Sequence, residues 1–331
     1  MMTYLFDEIE SCECIGEFED EYVYDVEMDD ETHTFVANDI LVHNSLYISY
    51  DGLLKTIKGV ENMSLKQKAN IIIDLNTKFM DEHNKRYIKE YYDTRFAKST
   101  HKFELETLNF SGCWIEKKKR YAQILLWKEG KFYDEDDLPL KVKGLEMTKA
   151  SYPRAAREIL NKITRFYLED QSNEYVLQRL NIKMQELKQE YFNASIEDMC
   201  ANMRVNGYSK YILNDNNPEG LIVAPKCPPN VRALGNYNNI RNVNHLEGEA
   251  IYGGKLKVYM YYPKGAGLRS EPSYFAFKSM AYPKWADKYA PISKERMFQQ
   301  YVLDPFNRII EPSGLGELRI DGSIEMGLFD F

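Results

Sequence analysis

The chain has 331 residues, 44 % of them hydrophobic and 28 % charged, with a formal net charge of −8. That composition suits a soluble globular protein with room for two or three cores and excludes the fibrous and fully disordered classes. No run of eighteen apolar residues occurs, and the N-terminus carries neither a basic leader nor a small-residue cleavage site, so the expectation is a cytoplasmic protein, neither membrane-spanning nor secreted.

Five cysteines, Cys12, Cys14, Cys113, Cys200 and Cys227, are odd in number and scattered. This argues against a disulfide framework, and the close pair Cys12 and Cys14 has no second pair at zinc spacing. Reduced thiols and no structural metal are expected.

The net charge conceals two opposed regions. Residues 1–44 hold fourteen Asp or Glu and no Lys or Arg, whereas residues 45–331 hold 37 acids and 43 bases. The leader is therefore −14 and the remainder +6, a change of character near residue 44. Like charges oppose folding of the leader alone. Yet Tyr22, Tyr24, Val26 and Met28 alternate with polar residues, and Phe35 and the run Ile40, Leu41 and Val42 read as further strands. Such strands need a partner that supplies opposite charge and missing core; without one, the leader is a disordered acidic tail.

The leader ends in His43-Asn44-Ser45. An Asn side-chain amide can attack its own backbone carbonyl, forming a succinimide and breaking the next peptide bond, while the preceding His supplies a proton. A hydroxyl placed just after the Asn can carry an acyl group as an ester and, once its amine is freed, pass that acyl to the amine. As a lone tripeptide the segment is an ordinary turn. It is preceded, however, by a Val23-Tyr24-Asp25 strand, by His33 two residues before Phe35, and by an Asn38-Asp39-Ile40 turn. Together these resemble the last two motifs of an intein. The resemblance implies that Asn44 cleaves, His43 assists, Ser45 is the nucleophile, and Asp25 and His33 help proton transfers. It also implies a separate N-terminal intein part, because that part is missing here and the chain begins at Met1 as a distinct translation product would. A basic N-intein partner is expected to complement the leader.

After Ser45 the chain reads differently. Ser45 to Tyr50 alternates as a strand, and Ser64 opens a helical pattern through about Arg95 with Ile72, Leu75 and Phe79 on one face. Next come Trp114, the cations Lys117 to Arg120, Tyr121, an apolar strand to Trp127, a Glu129-Gly130 turn and a returning strand through Tyr133. A charge run of this kind commonly ends a solvated strand; on a hairpin it can also offer a rigid cationic edge to phosphates. Residues from about Pro153 to Glu169 and from Asn173 to Asn202 read as helices, the second with Leu177, Leu180, Met184, Leu187 and Tyr191 as a core stripe. The aromatic-rich stretch Tyr252 to Trp285 reads as strands and loops.

Lys118-Lys119-Arg120-Tyr121 looks like the primer-strand motif of family B DNA polymerases. Val142 to Pro153 is similar to the start of the thumb in T-even-type phage replicative polymerases, and Pro225-Lys226-Cys227-Pro228 with Arg232 to a later thumb stretch. The resemblance covers residues 45–331. It implies DNA contacts by Lys118, Lys119, Arg120, Tyr121, Lys149 and Ser151, with primer-template DNA and dNTPs as partners. In that family an Asp-Thr-Asp-Ser motif precedes a palm strand. Ser45-Leu46-Tyr47-Ile48 fits its end, but Val42-His43-Asn44 stands where the aspartates belong. The carboxylates that hold Mg²⁺ for phosphoryl transfer are therefore expected on an N-terminal polymerase fragment ending in the N-intein.

The apolar end Leu328, Phe329 and Phe331 resembles a sliding-clamp tail. The implied fold is α+β: a β-rich Hint-type intein fragment at 1–44, a C-terminal palm portion at 45–145, a mainly helical thumb at 146–320 and a clamp-binding tail at 321–331. Two alternatives remain open. One is a self-cleaving nucleic-acid-binding protein, the other a protein whose acidic arm covers its DNA surface.

Overall fold

The computed structural model describes residues 14–18, 21–24, 34–37, 40–43, 49–89, 104–115, 119–170, 175–212, 227–263, 271–319 and 324–325. Two compact units divide the chain, Met1–Leu75 and Asn76–Phe331. The elements are a mixture of helices and antiparallel sheets, which is compatible with the expected α+β class.

In the first unit β1 (Cys14–Phe18) pairs with β2 (Glu21–Tyr24), and β3 (Thr34–Ala37) pairs with β4 (Ile40–His43). The β3–β4 register sets Thr34 opposite His43 and Ala37 opposite Ile40. Strand formation at Tyr22–Tyr24, Phe35 and Ile40–Val42 follows the alternation in the sequence; Val26 and Met28 lie outside the described residues. The strand expected at Ser45–Tyr50 is not found in its described part. Residues 45–48 lie outside that part, and α1 (Asp51–Lys55) begins directly after Tyr50.

Helix α2 (Leu65–His83) opens on a reciprocal cap. Gln67 N–H donates to Ser64 Oγ at 3.2 Å, and Ser64 N–H donates to Gln67 Oε1 at 2.8 Å, which satisfies two donors that a helix start leaves open. A π-helical turn, Asn84–Lys89, follows; residues 90–95 of the expected helical stretch lie outside the described residues. The expected apolar face is packed only in part: Ile72 is buried with Ala69 and Asn76, while Leu75 is 43 % and Phe79 61 % exposed. Phe79 lies two turns from Ile72 on the same side. The helix has the predicted face but leaves its covered part before Phe79.

The second unit holds a sheet in which β6 (Tyr121–Lys128) is central. It pairs with β5 (Thr107–Trp114), β7 (Lys131–Phe132) and β8 (Leu140–Lys143), all antiparallel. The β6–β7 hairpin turns at Glu129 and Gly130, whose φ values of 45° and 87° are those of the tight two-residue turn that matches strand twist. Tyr121 through Leu126 are all buried.

Helix α3 (Arg154–Asp170) packs on this sheet and on α4 (Val176–Asn193). Its buried stripe Ala156, Ile159, Leu160, Ile163, Tyr167 has helical spacing. In α4 the buried line is Val176, Leu180, Met184, Leu187 and Tyr191, with Val176 in place of the expected Leu177. The helical reading through Asn202 is corrected: α4 ends at Asn193, α5 (Ile196–Met199) is one turn capped by Ser195, and β9 (Ala201–Val205) is a strand.

A second sheet, ordered β11-β10-β9, contains β10 (Gly254–Tyr261) and β11 (Ser273–Phe277), with α6 (Pro229–Val243) packed on β11. Its core is aromatic: Phe275 is flanked by Tyr237, Tyr259, Tyr261 and Trp285 at centroid distances of 5.7, 5.2, 6.3 and 5.7 Å. The short helices α7 (Ala286–Tyr289) and α8 (Lys294–Phe298) lead through a π-helical turn to α9 (Asp304–Ile310). Last comes the hairpin of β12 (Glu317–Leu318) and β13 (Ile324–Glu325).

Candidate nucleic-acid interface

The cationic run sits on the loop that joins β5 to β6. Trp114 pairs with Tyr121, and Ile115 N–H donates to the Arg120 carbonyl at 3.2 Å, closing the loop. Lys118 lies outside the described residues. Lys119 adopts φ 60° and is exposed, Arg120 is half-buried, and Tyr121 is only 9 % exposed. The tyrosine ring therefore anchors the strand in the packing, while Lys119 reaches the surface.

Strand β8 brings more cations to the same end of the sheet. Tyr121 pairs with Lys143 and Gln123 with Lys141, so both lysines share the Tyr121 face. Lys141 Nζ stands 6.0 Å from the Tyr121 ring centroid, within cation–π reach. Just after the strand, Gly144 has φ 68°, and a Cβ there would lie 2.4 Å from the Lys119 carbonyl oxygen and 3.0 Å from Arg120 Cγ. Only glycine allows this approach. Gly144 thus locks the β8 exit against the Lys119–Arg120 turn.

The chain then runs straight into the second predicted contact segment. Leu145 and Met147 are buried and pin a 3₁₀ turn, Glu146–Thr148, closed by Thr148 Oγ1–H donating to the Leu145 carbonyl at 2.7 Å. Lys149 N–H donates to the Glu146 carbonyl at 3.0 Å. The Glu146 carboxylate, 9 % exposed, faces Lys149 Nζ at 3.4 Å and an Arg308 nitrogen at 3.7 Å.

Ser151 is exposed and its carbonyl accepts from Asn202 N–H at 2.9 Å, while Asn202 Nδ2 donates to the Ala150 carbonyl at 2.9 Å. These bonds tie the turn to β9. Helix α3 begins only at Arg154, so Ser151 lies ahead of the helix start and its backbone serves the sheet edge. Arg232, on α6, is exposed; Pro225 and Lys226 lie outside the described residues.

Among the residues expected to act in splicing, the backbone of His43 closes β4 opposite Thr34, the residue after His33. Asp25, His33, Asn44 and Ser45 lie outside the described residues, as do Leu328, Phe329 and Phe331. Among the described residues no group of three or more His, Cys, Asp or Glu could hold a metal ion. The described part of this chain therefore does not fit a two-metal site. Free thiols are found at Cys113, Cys200 and Cys227, and burial raises the Cys113 thiol to about 11. No helix of the described residues is long and apolar enough to cross a membrane.

Sequence reasoning missed Lys141, Lys143, Glu146 and Arg308. The alternation Lys141-Val142-Lys143 carried a usable signal, since a strand would send both lysines to one face. Nothing in the sequence links Arg308 to Glu146.

What the geometry defines is an α+β body with a cationic sheet end, and about half of the chain is related in sequence to DNA polymerases. No family model matches the chain. A protein named DNA polymerase from Thermococcus litoralis is 30 % identical over 155 residues, 46 % of this chain and 7 % of the relative. Those from Thermococcus aggregans and Thermococcus hydrothermalis are 28 % identical over 166 residues and 33 % over 141, covering 50 % and 42 % of this chain. The matched part spans about 7 % of the length of the first two of these curated relatives and 6 % of the third. These relatives are archaeal, whereas the motif resemblance pointed to a T-even-like phage polymerase.

Proposed function

We propose that this chain is the C-terminal part of a family B, DNA-directed DNA polymerase of T-even-like phage type, activated by protein trans-splicing at Asn44 and Ser45 with a partner chain that supplies the catalytic aspartates. The observation that carries the polymerase reading is the β6–β8 pairing. It sets Lys143 opposite Tyr121 and Gly144 against Lys119 at one end of a sheet, five residues before Lys149 in the chain. Cations on rigid strand ends position a nucleic-acid backbone without reading its sequence. Lys118, Lys119 and Arg120 would hold primer-strand phosphates, with Lys149 and Ser151 next along the duplex. Mg²⁺ belongs to the partner's carboxylates, and Leu328, Phe329 and Phe331 would engage a sliding clamp.

In the leader, the partner's upstream polypeptide is carried as an ester on Ser45 Oγ. The Asn44 side-chain nitrogen then attacks its own carbonyl carbon, the peptide bond to Ser45 breaks, and His43 protonates the departing amine. That amine takes the acyl group from its own Oγ, which leaves a peptide bond. Asp25 and His33 assist the proton transfers. The −14 charge of residues 1–44 suits a basic N-intein.

The test is intact-mass spectrometry on the chain mixed with its candidate partner, wild type beside Asn44→Ala. Ligation of residues 45–331 to the partner, release of residues 1–44, and loss of ligation in the variant are expected. An unchanged wild-type mass would remove the splicing reading.

A further inference from the structure

Glu146 faces more positive charge than it needs. A largely buried carboxylate is costly without a counter-charge, and one cation meets that need. Two are present, Lys149 three residues on and Arg308 from α9. The surplus charge is available to an anion from outside.

The two cations are not equivalent. Lys149 is 41 % and Arg308 51 % exposed, and Lys149 stands at the head of the turn that leads to the exposed Ser151. Arg308 comes from a helix fixed by buried Phe306, Ile309 and Ile310, and its charge acts on the Tyr152 hydroxyl. Tyr152 is itself held edge-on against Tyr301 at 5.3 Å. Lys149 can swing away on a flexible stem, whereas the helix that carries Arg308 is held by its buried face.

We propose that Arg308 is a positioning residue for DNA binding: it holds the Glu146 charge, so that the Lys149 ammonium can leave that carboxylate for a backbone phosphate of the bound duplex. This rests on the assignment of Lys149 to DNA above. Without Arg308, Glu146 would keep Lys149 and the phosphate contact would be lost, although Arg308 itself touches no DNA.

The experiment is fluorescence anisotropy of an end-labelled primer–template duplex with the full chain, titrated at salt from about 50 to 200 mM. Lys149→Ala and Arg308→Ala should each flatten the log-affinity against log-salt slope by about 1, and the double variant should fall no further. Arg308→Lys and the pair Glu146→Gln/Arg308→Ala should regain the wild-type slope. A wild-type slope in Arg308→Ala overturns the inference. So does an additive loss in the double variant, which would mean that Arg308 meets phosphate directly.

If Arg308→Ala alone does not fold, the Glu146→Gln/Arg308→Ala pair decides, since a flattened slope there also overturns it. A wild-type slope in Lys149→Ala would instead overturn the DNA assignment of Lys149, and failure of the wild type to bind the duplex would overturn the DNA reading of the chain.

Discussion

The β5–β8 sheet and the β9–β11 sheet are both antiparallel and both packed on helices, but their cores are filled differently. The second sheet and its helix centre on Phe275 and its aromatic neighbours, and some buried polar groups are paired there, although Asn239 Oδ1 and Arg241 Nε of the helix have no partner among the described residues. Asn238 Nδ2 donates to the Ile251 carbonyl at 2.8 Å and its Oδ1 accepts from Ile251 N–H at 2.9 Å, while Tyr259 donates to the Ala290 carbonyl at 2.7 Å. In the first sheet, fully buried Gln123 accepts from Asn109 Nδ2 at 3.0 Å. Gln123 Nε2, Asn109 Oδ1 and Ser111 Oγ have no partner among the described residues. The same sheet collects Lys119, Arg120, Lys141 and Lys143 at one end. The second sheet also carries Arg204, Lys255 and Lys257, so what sets the first apart is the Gly144 approach that fixes its cationic turn.

That contrast can be broken by substitution. The largest effect belongs to Phe275→Ala, which empties the centre of the aromatic cluster and should cost about 3–5 kcal/mol in chemical unfolding, with an unchanged salt slope for duplex binding where the protein remains folded. Asn238→Ala comes next: it orphans both backbone groups of Ile251, at about 1–3 kcal/mol for each, again without altering the slope. A changed slope in either variant would mean that the second sheet also meets DNA.

In the first sheet Gly144→Ala should cost about 1–3 kcal/mol and also weaken duplex binding, because relief of the clash with the Lys119 carbonyl must displace the Lys119–Arg120 turn. Unaltered affinity would show that the turn does not contribute. Smallest in stability is Lys143→Ala, within about 0.5 kcal/mol of wild type by thermal melting, yet with a slope flattened by about 1. A wild-type slope there would confine the contact to the loop before β6.

Where local pattern and tertiary packing agree, the sequence is readable. The buried strand from Tyr121, the Glu129-Gly130 turn and the helix from Arg154 all follow from period and turn chemistry. Ala201 to Val205 does not: Ala201, Met203 and Arg204 favour helices by themselves, and only pairing with β10 makes them a strand. The cations of the contact loop were visible as a run. The meeting of that run with Lys143 and Gly144 depends on the β6–β8 register, and the Glu146–Arg308 approach on the packing of α9, neither of which periodicity encodes.

The most direct test of the central claim is primer extension with Mg²⁺ and dNTPs, using this chain alone, the candidate partner alone and the two mixed. The account predicts extension from the mixture and none from this chain alone, whose described residues bring no carboxylate cluster to a metal. Extension by this chain alone, or none from a mixture in which intact mass shows ligation, would contradict it.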